Sequence, residues 1–250
     1  MVKNEREREI VNILKERHGF VTVGELCAAL YASESSVRRD LTALEEKGII
    51  RRSYGGAELI TVYTSCANFN HRTHHNADAK KIIAAKAASL IKDGDVIFLD
   101  QSSTSFFLAN ELLNNRTLTV VSNNIEIINL LSGTEIKTMS SGGTLSSENR
   151  MCLVGADAQY IFDRVCADIV FFSAKSLTDD GVICDCNREE VLVREAMIRN
   201  AARKVFLCDS EKFGTRSAYK QCDLDDVDIL VSESPAAVRY AEGRRNLQVI

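Results

Sequence analysis

Four arginines near the start of the chain form a small basic cluster on a protein whose formal net charge is −4. Arg38 and Arg39 are adjacent in the sequence, and Arg51 and Arg52 precede the turn-forming segment Tyr54-Gly55-Gly56. A guanidinium group binds phosphate and can donate two hydrogen bonds to a single guanine. Arginines in such a cluster are therefore suited to recognising DNA.

The charge balance by itself does not identify a DNA-binding surface. Residues 1–60 contain ten basic and ten acidic residues, whereas segment 36–56 contains five basic and three acidic ones. A local patch is sufficient, because phosphate attraction acts within a Debye length of about 8 Å in physiological salt. On charge alone, however, the preferred interpretation is a solvated face of a helical bundle. The choice between this interpretation and DNA binding therefore depends on the secondary structure that carries the arginines.

The apolar pattern of residues 1–57 predicts a small helical domain. Residues 5–17 have one apolar face, residues 20–23 suit a short strand, and residues 23–31 form a second amphipathic helix. A third helix follows after a short turn, which is the arrangement of a helix-turn-helix. The glycine-rich hairpin at 49–59 would then form a wing.

The third helix is predicted to expose polar residues opposite its apolar stripe. Val37, Leu41 and Leu44 recur at i, i+4 and i+7, and Ser33 is a favourable N-cap for this helix. The N-terminal side chains of a recognition helix meet base edges in the major groove, while neighbouring residues bind phosphates. The cap, the turn, the double arginine and the Gly-Gly wing together favour DNA binding over a solvated face. The predicted DNA-contact residues are Ser33, Ser35, Ser36, Arg38, Arg39, Arg51, Arg52, Tyr54, Gly55 and Gly56.

From residue 77 onward, strand-length apolar runs alternate with helical patterns, which predicts a mostly parallel α/β domain. The sequence therefore divides into a winged helix-turn-helix head at 1–57, a linker at 58–76 and an α/β body at 77–250. The predicted strands are 95–100, 118–123, 136–143, 167–174, 204–209, 227–233 and 247–250.

The ends of these predicted strands carry polar residues suited to a phosphorylated ligand. Ligands of open α/β sheets bind at the carboxyl ends of the strands. The hydroxyl residues 102–105 fall at a predicted helix N-terminus, where free backbone amides favour an anion, although hydroxyl N-caps are also common without a ligand. Either of two aspartates could accept a sugar hydroxyl, and a lysine could meet a negative group. The predicted effector-site residues at strand ends are Asp100, Ser102, Ser103, Thr104, Ser105, Asn123, Gly142, Gly143, Asp209 and Lys212.

Composition excludes several other classes of protein. The 250 residues are 45% apolar and 26% charged, which is ordinary for a globular protein of one large or two smaller domains. No signal-peptide-like or membrane-length apolar run occurs, so we expect a cytoplasmic protein without a membrane partner. The eight cysteines lack a CxxC pair and are expected to be free thiols. Cys66 with His71, His74 and His75 has no defensible zinc spacing, so no metal or cofactor is predicted.

The segment LCAALYASESSVRRDLTALEEKGIIRRSYGGA at 26–57 resembles the DNA-binding head of the DeoR family of bacterial transcription regulators. The match is close at residues 36–41 and 55–57. Similar landmarks continue through the body, at Phe69, Arg72, LDQSSTS, Ser122-Asn123, Gly142-Gly143-Thr144-Leu145, Asp180-Gly181 and residues 209–214.

The resemblance implies a sensor domain that resembles ribose-5-phosphate isomerase, binds a phosphorylated sugar or related metabolite, and thereby alters DNA affinity. It also implies a regulator, most often a repressor, of carbohydrate metabolism. Two residues depart from the family pattern. Ser102 stands at a position usually held by glycine, and Arg194 stands where a lysine is frequent, so Arg194 joins the predicted effector-site residues.

Two other functions stay open. One is a sugar-phosphate isomerase with an accessory DNA-binding head, although the sequence singles out no carboxylate as a catalytic base. The other is a redox or metal sensor that depends on the cysteines. We expect the regulator to be a homodimer or homotetramer, because helix-turn-helix proteins normally bind two half-sites.

Overall fold

The computed structural model describes residues 3–17, 20–46, 49–53, 55–59, 69–113 and 117–250. The chain separates into two compact units, Met1–His71 and Arg72–Ile250. The finer division into head, linker and body stays a prediction, since residues 60–68 lie outside the described residues.

The helices of the first unit enclose one apolar core. Ile10, Leu26 and Val37, one from each helix, are completely buried in it. The second helix begins at a capping box, in which the Glu25 amide donates to the Thr22 hydroxyl and the Thr22 amide donates to the Glu25 carboxylate. The elements are α1 (Lys3–Glu16), β1 (Val21–Thr22), α2 (Val23–Leu30), α3 (Glu34–Glu46), β2 (Ile50–Ser53) and β3 (Gly56–Leu59).

The wing is an antiparallel hairpin of β2 and β3, and β3 also pairs with β1. Gly55, in the turn of the hairpin, has a φ of +87°, a conformation that favours glycine. Gly56 pairs with Thr22, and a Cβ atom on Gly56 would lie only 2.2 Å from the Val21 carbonyl oxygen. The two glycines are therefore required for different reasons, one by the turn and the other by the close approach of two strands.

The described residues of the second unit contain a seven-stranded sheet of order β15-β14-β12-β9-β4-β5-β6, in which every neighbouring pair is parallel. Ile97, Phe98 and Leu99, in the fifth strand of this order, are completely buried because both faces of the sheet are covered. The strands are β4 (Val96–Leu99), β5 (Thr119–Ser122), β6 (Lys137–Ser140), β9 (Ala167–Phe172), β12 (Ala201–Leu207), β14 (Ile229–Val231) and β15 (Gln248–Val249).

The described residues also form two smaller sheets and several helices. Two smaller antiparallel sheets pair β7 with β8 and order β10-β11-β13. These strands are β7 (Thr144–Leu145), β8 (Leu153–Val154), β10 (Ser176–Leu177), β11 (Val182–Asp185) and β13 (Tyr219–Asp223). The helices are α4 (Phe69–His74), α5 (Ala77–Ala88), α6 (Ser103–Glu111), α7 (Ile125–Leu131), α8 (Ala156–Tyr160) and α9 (Arg188–Arg199).

The predicted fold class, a winged helix-turn-helix followed by a mostly parallel α/β domain, is confirmed. The chain runs from β4 through β5 to β6 on one side of the sheet, and from β9 through β12 and β14 to β15 on the other. The strand order therefore reverses between β4 and β9, and such a switch point is where open α/β sheets bind ligands. Among the described residues, no helix is both long and apolar enough to cross a membrane.

Gly56→Ala is expected to destabilise the first unit by about 1–3 kcal/mol, because the new methyl group overlaps the backbone of β1. Gly24→Ala is the matched control: the nearest atom to its new methyl group is 4.0 Å away, and alanine favours helix α2. Urea unfolding of the two variants should shift the midpoint in opposite directions. Equal midpoints would contradict the close approach at Gly56.

Candidate DNA interface and candidate effector site

Helix α3 presents a polar face to solvent, as its sequence predicts. Ser35, Arg38 and Arg39 are exposed and Ser36 is half-buried, while the apolar stripe of the helix lies in the core. The Ser33 carbonyl accepts the amide of Val37, as an N-cap carbonyl does. The Ser33 hydroxyl lies 3.0 Å from the Ser36 hydroxyl and 3.2 Å from that of Ser35. This end of the helix therefore carries a cluster of hydroxyl groups.

The adjacent arginines of α3 have different surroundings. Arg38 donates from Nε and Nη2 to one carboxylate oxygen of Glu34, at 2.9 Å and 2.6 Å. Arg39 donates to the Ser35 carbonyl at 3.3 Å, and its side chain is exposed. Because a DNA contact by Arg38 has to compete with Glu34, Arg39 is the better placed of the two to read a base.

The acid that follows the arginine pair does not lie on the exposed face. Asp40 is 1% exposed and forms an ion pair with Arg6 of helix α1. Its charge is therefore directed into the unit and balanced there. As a result, the exposed surface of α3 is more positive than the sequence suggests.

The two wing arginines also differ. Arg51 is exposed. Arg52 donates from Nη1 to the Thr42 hydroxyl at 2.7 Å, and its backbone amide donates to Glu45 at 3.0 Å, so it ties β2 to α3. Gly55 is exposed and Gly56 is buried, whereas Tyr54 lies outside the described residues.

In the second unit, Asp100 lies at the switch point of the sheet and is completely buried. One of its carboxylate oxygens accepts the Arg194 Nε at 3.0 Å and the Ser173 amide at 3.1 Å. The other accepts the Ser102 amide at 3.1 Å and the Ser105 hydroxyl at 2.6 Å. This carboxylate thus joins the loops that follow β4 and β9.

The partner of Asp100, Arg194, is equally buried, with 2% of its side chain exposed. Its Nη1 lies 3.0 Å from Asp185 and donates to Gln221 at 2.7 Å. Burial lowers the pKa of Arg194, but Asp185, Asp100 and Glu190 together raise it above its ordinary value. The burial of Asp100 and Arg194 favours a role in positioning the site over direct contact with a ligand.

The predicted residues Asp209 and Lys212 meet the same site through Ser173. The Lys212 ammonium donates to the Ser173 hydroxyl at 2.8 Å and pairs with Asp209 at 3.1 Å. The Ser173 hydroxyl in turn donates to the Leu207 carbonyl at 2.6 Å. Burial opposes ionisation of Asp209, but Lys212, Lys80 and Asn76 lower its pKa overall. Sequence reasoning missed Ser173, although its place at the end of a predicted strand was a usable signal.

The predicted anion site at the start of α6 is built of nearly buried hydroxyl residues. Ser102 caps the helix by accepting the Ser105 amide at 3.0 Å, and the two hydroxyls are 3.1 Å apart. Ser103 and Thr104 occupy the first turn and are 4% and 1% exposed. The side chains of Ser102 and Ser105 are thus committed to the network around Asp100.

A buried polar chain links the next strand end to helix α9. Asn123 donates to Gln101 at 3.3 Å and to the Leu153 carbonyl at 3.0 Å. Gln101 donates to Glu190 at 3.1 Å, and Asn149 donates to the same carboxyl group at 3.2 Å. Burial raises the pKa of Glu190, although Arg72 and Arg194 act against this. Asn123 is therefore brought into the site and Glu190 is added to it.

Gly142 and Gly143 are exposed beyond β6, with φ values of +68° and +98°. A Cβ atom on Gly143 would lie 2.6 Å from the Val154 carbonyl oxygen. This pair of glycines therefore shapes a tight loop, and its predicted contact with an effector stays a prediction.

Residues near the start of the second unit reach the cluster around Asp209, which the sequence did not reveal. Asn76 donates to Asp209 at 3.3 Å, and the His75 ring lies 2.5 Å from the Glu211 carboxylate. Lys80 is buried and donates to the backbone carbonyls of Arg72, at 2.6 Å, and His75. Burial, with the nearby charge of Lys212, lowers the pKa of Lys80 to about 8.

The expectation of eight free thiols is wrong, because Cys186 is disulfide-bonded. The described free cysteines include Cys152 and Cys208, both buried, and burial raises the pKa of each thiol. Among the described residues no group of histidine, cysteine and acidic side chains could hold a metal ion.

Comparisons with known proteins identify the class. Residues 6–62 match the DeoR-like helix-turn-helix domain, and residues 75–234 match the DeoR C terminal sensor domain. The chain is 32% identical over 231 residues to the HTH-type transcriptional regulator GolR of Listeria innocua, covering 92% of this chain and 90% of that protein. It is 32% identical over 234 residues to the HTH-type transcriptional repressor GlcR of Bacillus subtilis, covering 93% and 89%.

The chain therefore belongs to the DeoR family of transcriptional regulators, which confirms the resemblance read from its sequence. A more distant structural similarity connects it to ribose 5-phosphate isomerase A of Methanocaldococcus jannaschii. The TM-score is 0.43 at 23% identity, over 55% of each chain. That similarity is too weak to support a conclusion on activity.

Arg194→Met is expected to lower the free energy of unfolding by about 3–5 kcal/mol, because it leaves Asp100 and Asp185 buried without their shared cation. Arg199→Met on the same helix is the control. It breaks an exposed pair with Asp163 and should change the free energy of unfolding far less. Urea denaturation of both variants gives the comparison, and similar losses would contradict the structural role of Arg194.

Proposed function

We propose that this DeoR-family regulator is a repressor of carbohydrate metabolism whose operator binding is controlled by a phosphorylated sugar or related metabolite. The observation that carries the proposal is the group of charged and hydroxyl side chains at the switch point of the seven-stranded sheet. This sheet belongs to the second unit, Arg72–Ile250, which contains the matched sensor domain and is called the sensor unit below. Lys212, the N-terminus of α6 and the carboxylates of Asp100 and Asp209 are connected there by hydrogen bonds through Ser173. Groups of these kinds can bind a phosphate and the hydroxyls of a sugar.

For DNA, the proposal assigns α3 to the major groove. Arg39, Ser35 and Ser36 would meet base edges, while Arg51 and the wing would bind the phosphate backbone. Arg38 would contribute when Glu34 releases it. A net charge of −4 is compatible with DNA binding, because Asp40 is paired with Arg6 while Arg39 and Arg51 are exposed.

For the effector, Lys212 and the backbone amides of the first turn of α6 would bind the phosphate. Asp209 and Asn123 would bind sugar hydroxyls. Asp100 and Arg194, both buried and satisfied by each other, would hold the loops in place without touching the ligand. The sequence predicts that both residues contact the effector directly; we propose instead that they position the loops that do.

Effector control requires that ligand binding alter residues that lead toward the DNA-binding unit. Asn76 and Lys80 lie shortly after helix α4, and both interact with the charges around Asp209. A sugar hydroxyl that occupies Asp209 would compete with Asn76, and a phosphate on Lys212 would reduce the repulsion acting on Lys80. We therefore assign the start of the sensor unit as the first element to respond to the effector.

The relatives named above are transcriptional regulators, which supports regulation over catalysis. The alternative, a sugar-phosphate isomerase, draws on Glu190, a buried carboxyl group with a raised pKa of the kind that a catalytic base has. Assays of aldose–ketose interconversion with pentose and hexose phosphates decide between the two, since turnover above the buffer rate would favour the enzyme.

The assembly in solution is proposed to be a homodimer or homotetramer in the cytoplasm. A dimer would place two copies of α3 on half-sites about 34–36 Å apart, one helical turn of DNA. The phosphorylated effector would be a small molecule that stabilises the sensor unit on binding. A thermal-shift screen of the full chain against sugar phosphates is the experiment that tests the proposal most directly.

Arg39→Ala is expected to weaken binding to the operator by about 1–3 kcal/mol, because it removes a guanidinium group from the exposed face of α3. Arg38→Ala should cost less, since Arg38 is already bound by Glu34. Fluorescence anisotropy with a duplex selected from a random pool by the wild-type protein measures both effects. Unchanged affinity in both variants would remove α3 as the recognition helix.

Lys212→Ala is expected to abolish or strongly reduce the response of DNA binding to the effector, while operator affinity without effector is retained. Lys137→Ala is the control, because Lys137 is exposed at the amino end of β6, on the opposite edge of the sheet. The measurement is the operator dissociation constant across a titration of the sugar phosphate that gives the largest thermal shift. Superimposable wild-type and Lys212→Ala titrations would place the ligand elsewhere.

A further inference from the structure

Tyr31 combines two unusual properties at the turn between α2 and α3. Its backbone is left-handed, with φ 49° and ψ 42°, and its amide donates to the Cys27 carbonyl to end helix α2. The residue is 98% exposed. The described residues contain one other non-glycine residue with positive φ, Asn76, and asparagine is a residue type that tolerates this conformation.

Neither helix termination nor packing explains a tyrosine at this position. Glycine or asparagine ends a helix in the left-handed conformation at lower cost than a bulky side chain does. An aromatic ring with 98% exposure adds nothing to the core, and it leaves a large apolar surface in water. A residue that costs stability and buries no surface within its own unit indicates a contact made outside that unit.

The position of Tyr31 indicates the partner. It precedes Ser33 by two residues, and Ser33 begins the helix whose exposed face carries Ser35 and Arg39. When the N-terminal part of a recognition helix lies in the major groove, the turn before it lies beside the sugar-phosphate backbone that borders the groove. Tyrosine hydroxyls are among the groups that donate to DNA phosphates.

We propose that Tyr31 is a DNA-backbone contact, whose phenolic hydroxyl donates to a phosphate at the edge of the groove that α3 enters. The contact fixes the depth and orientation of α3, so the strained turn is retained for binding and not for folding. The inference rests on the proposed role of α3 as the recognition helix. It adds a neutral contact to an interface otherwise described by its arginines.

A neutral contact has a distinctive dependence on salt. Each cationic side chain that neutralises a phosphate releases counterions, so its removal lowers the slope of log affinity against log salt by about one. Removing a phenolic hydroxyl lowers affinity and leaves that slope unchanged. Arg51→Ala, an exposed cation of the wing, provides the charged comparison.

The test uses the full-length protein and a duplex selected from a random pool by the wild type, with anisotropy titrations at four salt concentrations. Tyr31→Phe keeps the ring and the backbone and removes only the hydroxyl. It should weaken binding roughly threefold to tenfold with an unchanged salt slope, as expected for loss of one hydrogen bond. Tyr31→Gly should weaken binding at least as much while raising the melting temperature, because the strain is relieved.

Each outcome bears on a different part of the inference. Tyr31→Phe with wild-type affinity, alongside a weakened Arg39→Ala, would overturn the Tyr31 contact and leave the recognition helix intact. Wild-type affinity in both variants would overturn the assignment of α3 itself. A melting temperature of Tyr31→Gly equal to or below that of the wild type would refute the claim that the tyrosine is retained at a cost.

Discussion

The buried ion pair between Asp100 and Arg194 is the constraint on which the arrangement of the sensor unit depends. Two charges are removed from water here, and the desolvation cost is offset only when every polar atom finds a partner. Asp100 accepts four hydrogen bonds, two from loops and two from helices α6 and α9, while Arg194 is shared by Asp100, Asp185 and Gln221. Replacing both residues by apolar ones of similar volume is often neutral for stability, whereas removing one of them leaves a buried charge without a partner. We therefore expect the pair to specify one arrangement of loops more than it adds to stability.

That arrangement determines which side chains remain available for a ligand. Because Ser102 and Ser105 are committed to Asp100, the first turn of α6 is held in a fixed orientation with Ser103 and Thr104 at its start. Because the Ser173 amide is also fixed by Asp100, its hydroxyl is in position to accept Lys212. The residues of the candidate effector site are therefore held in place by the buried charges of Asp100 and Arg194. The first unit uses the same device, since the Arg6–Asp40 pair orients α3 and removes an acidic charge from the face that carries Arg39.

The sequence predicts the helices and strands well, but it does not predict which buried side chains pair with one another. Near-continuous apolar runs locate β4, β9 and β12, because a strand buried on both faces has few polar positions. The spacing of Val37, Leu41 and Leu44 locates α3. The Asp100–Arg194 pair joins residues 94 positions apart, and either residue alone reads equally well as a ligand contact. Only the register of the sheet and the position of α9 show that they meet inside the protein. The left-handed conformation of Tyr31 could not be predicted from the sequence either, because tyrosine disfavours a positive φ.

Coupling between effector and DNA is limited by a thermodynamic condition. A ligand can shift an equilibrium only by the difference in its affinity for the two forms, and coupling energies are typically about 1–3 kcal/mol. Exchange of a single hydrogen bond to an ionised group is of that size, about 1.5–3 kcal/mol. The Asn76–Asp209 bond joins the start of the sensor unit to a residue proposed to bind the effector, so competition for that one carboxylate would provide the necessary difference. A large rearrangement of the sheet is not required, and the buried hydrogen bonds of Asp100 and Arg194 at the switch point would oppose one. In the proposed mechanism, the hydrogen bonds around Asp100 and the Asn76–Asp209 bond would serve complementary purposes, because a ligand can displace Asn76 selectively only if the groups around it stay fixed.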